Sequence, residues 1–154
     1  MVKTSKLTDL ATVFSWFCDA ETIRAWAGPL VKLPYDPSRS LTEIQWDLSE
    51  PYTMYKNDKP IGFVQVFKRY GFNHISRLAI APRHRSNGLG RILIEHLLSN
   101  PPHPHFGFSL FVYSNNLIAR SLYEQLCFVE EQYPPNQATI KGCMFMVRKQ
   151  NQQL

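Results

Sequence analysis

Arg85-Ser86-Asn87-Gly88-Leu89-Gly90 is the stretch that decides how this chain is read. An apolar run, 75–81, comes before it, and an amphipathic one, 89–98, follows. A strand, a glycine-bearing turn and a helix in that order aim free backbone N–H groups at one point. The helix start adds about half a positive charge there, which makes the turn a phosphate site. Spacing narrows the choice of phosphate. Leu93 stands where a dinucleotide fingerprint needs its third glycine, and no Lys then Ser or Thr follows the last glycine. What remains is R-x-x-G-x-G after a strand.

The surrounding elements follow from periodicity and punctuation. Residues 2–7 predict a short first strand, and Thr8 or Asp9 can cap a helix to about Cys18. A second helix, 19–26, stops at Gly28-Pro29. After a proline-interrupted loop, 41–48 reads as another short helix. Residues 52–56 and 61–69 form a hairpin around Asn57-Asp58-Lys59-Pro60, and Tyr70-Gly71 turns the chain into a strand at 72–80. Leu89, Ile92, Leu93, His96 and Leu97 recur on one helical face, and Ser99-Asn100-Pro101-Pro102 ends that helix. A strand at 106–113 completes a right-handed crossover between parallel strands. A helix at 116–126, a strand at 128–133 and a last strand at 140–149 close the domain. The expected class is α+β, or α/β in three layers, with a mixed sheet. Residues 1–149 form a single domain, and 150–154 are a frayed tail.

Composition bounds the function. A chain of 154 residues, 44% hydrophobic with ten Phe, seven Tyr and three Trp, fits one packed domain. The net charge of +5 could attract a polyanion, but the Lys and Arg are scattered apart from Arg83, Arg85 and Arg91 around the glycine turn. That cluster suits a compact phosphate ligand better than a duplex, so nucleic acid is not the expected partner. Cys18, Cys127 and Cys143 form no C-x-x-C pair and read as reduced thiols. No histidine pair has metal-ligand spacing, so no metal is expected. Neither a secretory signal nor an apolar run long enough for a membrane is found, and a cytoplasmic location is expected.

A second motif lies downstream. Val112, Asn116, Ala119, Leu122, Tyr123 and Phe128 fit V-x-x-x-N-x-x-A-x-x-L-Y-x-x-x-x-F. In this order and spacing, the two motifs together resemble the acetyl-CoA signatures of the GNAT acyl-CoA N-acyltransferases. The resemblance spans 72–133 and implies a mostly antiparallel sheet with a central, splayed parallel pair and helices on both faces. It also implies an acetyl-CoA-dependent N-acetyltransferase acting on an amine by direct attack in a ternary complex. The pantetheine arm would pair with backbone groups of Leu78 and Ile80. The pyrophosphate would sit on the amides of Arg85, Ser86, Asn87, Gly88, Leu89, Gly90 and Arg91. Asn116 would bond the arm through its amide, and Tyr123 would return a proton to the departing thiolate.

Each role has a plainer competitor. Asn116 could simply begin a helix, Tyr123 could be a core aromatic, and the three arginines could be solvated. The family's usual base position holds His74, either a base near neutral pH or an edge-strand residue facing water. Glu43, Asp47, Glu50 or water are the other candidates for base. Cys127 departs from the family pattern, since a glycine usually ends that helix; cysteine must end it otherwise or accept strain. Trp26, Trp46, Tyr35, Tyr52 and Phe67 are candidates for an acceptor wall. A non-catalytic acyl-CoA sensor, or a ribosome- or nucleic-acid-associated module, would use the same fold. The acceptor, a small molecule or a peptide, is not specified by the sequence, and a homodimer is left open.

Overall fold

Two tight turns build the centre of the sheet. The structure, a computed structural model, describes residues 1–150. Asn57 and Asp58 both adopt left-handed backbone (φ 51° and 61°) and join β2 (Ser49–Lys56) to β3 (Lys59–Arg69). Two such residues match the twist of a hairpin, so the turn is shorter than the sequence suggests and Pro60 falls inside β3. Tyr70 and Gly71 repeat the device, with φ 58° and 78°, before β4 (Phe72–Ile80). With β1 (Val2–Thr4), β5 (Phe108–Tyr113), β6 (Val129–Glu131) and β7 (Cys143–Arg148), the sheet runs β1-β2-β3-β4-β5-β7-β6. Among the described residues only β4 and β5 pair in parallel. The mixed sheet and splayed pair inferred from the sequence are the observed architecture. The expected tail lies, beyond Gln150, outside the described residues.

Helices cover both faces. α1 (Asp9–Phe14) and α2 (Ala20–Ala27) pack one side, where Leu10, Val13, Phe14 and Ile23 meet Phe63 and Ala79. α4 (Leu89–Ser99) and α5 (Leu117–Gln125) pack the other, where Leu93, Ile94, Leu97 and Tyr123 meet Val64, Val66, Ile75 and Leu110. α3 (Ser40–Glu43), a single short turn, packs Leu41 on the α1–α2 side.

Several boundaries move for identifiable reasons. α1 stops at Phe14, because Ser15, Trp16 and Phe17 bond back three residues and tighten the chain. Neither Thr8 nor Asp9 caps it; the Asp9 carboxylate instead accepts from Lys6 N and from the Tyr55 hydroxyl. The expected helix 41–48 breaks at Gln45, which is left-handed at φ 55°, leaving α3 and a 3₁₀ turn at Trp46–Leu48. The Ile44 carbonyl is taken by Gln65 and Arg77 side chains, a tertiary bond that displaces the helical one. Ile92 points outward at 51% exposure, so the buried stripe of α4 runs through Leu93, Ile94 and Leu97 instead. Cys127 does accept the left-handed conformation, at φ 70°.

Buried Asn73 fixes the start of β4. Its amide donates to the carbonyls of His103, Phe106 and Gly107, and its oxygen accepts from His103 N, stapling the proline loop to the sheet. A Cβ at Gly107 would lie 2.5 Å from the Arg148 carbonyl oxygen, closer than side chains tolerate. Gly107→Ala is expected to lower stability by about 3 kcal/mol through forced backbone displacement. An unchanged urea midpoint would contradict that packing.

Candidate active site

β4 and β5 are bonded only at their starts. Register runs Asn73–Phe108, His74–Ser109 and Ile75–Leu110, then stops, although β4 continues to Ile80 and β5 to Tyr113. Beyond that point the strands part, and a cleft of about 330 Å³ opens. Leu78, Asn116, Tyr123 and His74 all line it, so residues far apart in sequence meet at the fork.

Past the cleft, β4 continues to Ile80 and the chain passes through residues 81–88 to the start of α4. Gly88 is its N-cap at φ 74° and ψ 12°, and it supplies no side chain to cap the helix. The two other helices of this length are capped: Asp19 accepts from Thr22 N on α2, and Asn116 accepts from Ala119 N on α5. On α4 the first intrahelical bond is from Ile92 N to Gly88 O, so the amides of Leu89, Gly90 and Arg91 have no helical acceptor. Ser86 is also left-handed, at φ 65°. A groove of about 660 Å³ lies over this turn, bounded by Ile80, Arg85, Gly88, Gly90 and the α5 residues Leu117, Ser121 and Leu122.

The arginine side chains brace the site. Arg85 Nε donates to the Ile80 carbonyl at 3.1 Å, holding the turn against the end of β4. Arg91 donates to Gln125 at 2.8 Å and pairs with Glu95 at 3.3 Å, tying α4 to α5. Arg83 is exposed and lies outside both cavities. Asn116 is indeed a helix cap, but capping occupies only its oxygen and leaves its Nδ2 hydrogens to donate.

Tyr123 is buried against Phe128, and burial pushes its phenol up to about 12. Among the described residues none accepts a hydrogen bond from its hydroxyl. His74 is neither on an edge nor facing water: it is 3% exposed, flanked by β3 and β5, with Nδ1 2.8 Å from Ser109 Oγ. Burial first, then the positive charge of Arg69, lowers its pKa to about 3. The unfolded chain therefore takes up this proton first as pH falls. The stabilisation is whole above pH about 6.5 and is lost progressively towards 3. At pH 4.5 the loss is expected to reach roughly 2–3 kcal/mol. His74→Gln should flatten that part of the stability profile, and an unflattened profile would contradict the assignment.

None of the alternative acids reaches the cleft. Glu43 is paired with Arg39 at 3.3 Å and accepts from Lys32 N, while Asp47 and Glu50 are exposed outside it. The expected aromatic wall is mostly core: Trp26, Trp46 and Tyr35 pack with α1, Tyr52 packs on the other core, and Phe67 is 1% exposed. Only Trp26 also borders the cleft. The aromatic surface beside His74 is a different set, missed in the sequence: Tyr70 and Phe111 edge the imidazole at 5.1 and 5.2 Å, with Phe145 and Tyr133 behind. Alternation along β5 and β7 places Phe111 and Phe145 opposite one another, a signal that needs the β5–β7 pairing to be read.

Arg77 was also missed. It occupies a bulge in β4 at φ 52°, where the register slips against Phe63 and Gln65. Bulges re-aim side chains beside sites. Here the guanidinium turns to Gln65 Oε1 and the Ile44 carbonyl, both at 3.0 Å, and to the Ala27 carbonyl at 3.4 Å. Burial, then the neighbouring Arg69, lowers its pKa to about 10. A larger cavity of about 760 Å³, between α1, α2 and the 29–35 loop, contains none of these residues.

Parted parallel strands running to an open helix start define an acetyltransferase fold. The chain belongs to the acetyltransferase (GNAT) family, whose model matches residues 11–128. Its fold is similar to the ribosomal-protein-S18-alanine N-acetyltransferase of Escherichia coli, at 21% identity and TM-score 0.65 over 96% of this chain and 89% of that one. It is also similar to the spermidine N-acetyltransferase of Vibrio cholerae in complex with CoA and spermine, at 21% identity and TM-score 0.68 over 97% and 95%. An acetyltransferase from Thermus thermophilus aligns at 17% identity and TM-score 0.69 over 97% of both chains. Family membership makes this chain an acetyltransferase. Among the described residues no helix is long and apolar enough to cross a membrane, and no group of three or more His, Cys, Asp or Glu could hold a metal.

Proposed function

We propose that this protein moves the acetyl group of acetyl-CoA to a primary amine, with both substrates bound at once. The observation that carries the proposal is the parting of β4 from β5 after Ile75, which opens a cleft beside a strand that feeds, through residues 81–88, the uncapped start of α4. In this reading the amides of residues 85–91 hold the diphosphate, where dipole and free N–H groups act together. Backbone groups of β4 near Leu78 and Ile80, left without a strand partner on the β5 side, pair with the amides of the pantetheine arm. The Asn116 Nδ2 donates to the same arm.

Tyr123 then supplies the proton that the departing sulfur needs. A phenol at about 12 keeps its proton until a thiolate forms beside it. The burial that raises the phenol also raises the proton affinity of a thiolate in the same cleft. His74, held neutral, is the one cleft residue with the chemistry to take the amine's proton, and its weak basicity makes it a relay rather than a resting place. Holding amine and thioester together supplies the rest by proximity.

The test is release of free CoA from acetyl-CoA in the presence of a panel of primary amines. Amine-dependent release with a matching acetylated product is expected. Protein that binds acetyl-CoA yet releases none with any amine would contradict the catalytic reading.

A further inference from the structure

The cleft carries positive charge that the protein itself does not balance. Arg24 and Arg77 line it, and no Asp or Glu does. Arg77 has no carboxylate partner; its Nε and Nη1 are satisfied by neutral oxygens, and among the described residues Nη2 has no partner. Gln65, fully buried, donates to the Ile44 carbonyl and Ser49 Oγ while its Oε1 accepts from Arg77, so the guanidinium is held rigidly in place. Trp26 also borders the cleft, with its indole nitrogen buried and without a hydrogen-bond partner.

Charge and donors without acceptors describe a site for an anion. A half-buried guanidinium facing no acid is unfavourable by itself and becomes favourable when a ligand carboxylate completes it, often through two parallel hydrogen bonds. Arg77 lines the same small cleft as Tyr123 and His74, so the anion belongs on the substrate close to its reacting amine. A polyamine would find no carboxylate there and would meet like charge.

We propose that the acceptor is a small amine bearing a carboxylate, of the amino-acid class, whose carboxylate is held by Arg77. The inference rests on the acetyl-transfer reading above. The local strain of a non-glycine residue at φ 52° fits this role, since backbone strain of this kind collects where a side chain must be aimed.

The experiment compares amino acids with their carboxamides and with spermidine. Binding is measured by calorimetry on the CoA-loaded protein, and turnover by CoA release. The acids are expected to exceed their amides by about 10- to 100-fold in affinity and in kcat/KM. Arg77→Gln should erase that ratio through KM, Arg77→Lys should restore part of it, and acetyl-CoA affinity should hold in both. Equal binding of acids and amides by the wild-type protein, preference for spermidine, or no association of any acid would overturn the proposal. An acid-to-amide ratio unchanged in folded Arg77→Gln would overturn it as well. In each of those cases intact acetyl-CoA binding leaves the transferase reading standing, whereas loss of acetyl-CoA binding by the wild-type protein would defeat both.

Discussion

Tyr123→Phe is expected to lower kcat by about 100- to 1000-fold, the usual worth of a placed proton donor. The Kd for acetyl-CoA should stay within about twofold, since the phenol acts when the sulfur departs rather than when the thioester docks. The geometry favours this split. Tyr123 is buried on α5 at the fork of β4 and β5, among the residues lining the cleft, and its hydroxyl is not engaged by any described residue. Removing one oxygen leaves the ring against Phe128 and the core beneath it intact. A variant with normal kcat would remove Tyr123 from the chemistry. A variant with normal kcat but raised KM and Kd for acetyl-CoA would make it a binding residue instead.

Gly88→Val is expected to weaken acetyl-CoA binding by at least about 100-fold, the equivalent of losing two charge-assisted hydrogen bonds to the diphosphate. Gly88 is left-handed at φ 74°, and a Cβ there would stand in open space with no atom within 4 Å. The protein therefore has room for the side chain. That space lies along the groove above the α4 start, where the proposal puts the diphosphate. The folded protein should lose only about 1–2 kcal/mol, the usual cost of a left-handed non-glycine residue. Lost affinity with a modest fall in Tm is thus the signature of a phosphate turn. Retained affinity in the folded variant would put the diphosphate elsewhere.

The legible parts of this chain were those with strong local rules. The turn at Tyr70-Gly71 opens β4, whose observed range, Phe72–Ile80, is the one the sequence implies. The start of α4 was read from glycine spacing alone, and α5 from the cap at Asn116. Tertiary bonds hid the rest. The break at Gln45 depends on Gln65 and Arg77 reaching the Ile44 carbonyl from another strand. Ile92 fits a helical stripe in sequence but points outward, because the sheet meets α4 along the line through Ile94.

The candidate site divides along the same line. The cap at Asn116 is legible from its motif, whereas the surroundings of His74 and the presence of Arg77 in the cleft depend on long-range placement. Whether His74 faces water or core depends on β5 lying beside β4, which no local pattern around His74 reveals. Arg77 is one basic residue among 17 Lys and Arg, and only its bulge and its lack of an acid partner distinguish it. Both facts belong to pairing between strands rather than to neighbours along the chain.

Amide hydrogen exchange with and without CoA tests the central claim most directly. Slowed exchange at Leu89, Gly90 and Arg91 and along 76–80 is expected, with little change around the cavity between α1 and α2. No slowing at the α4 start, or protection confined to residues 11–35, would contradict the account.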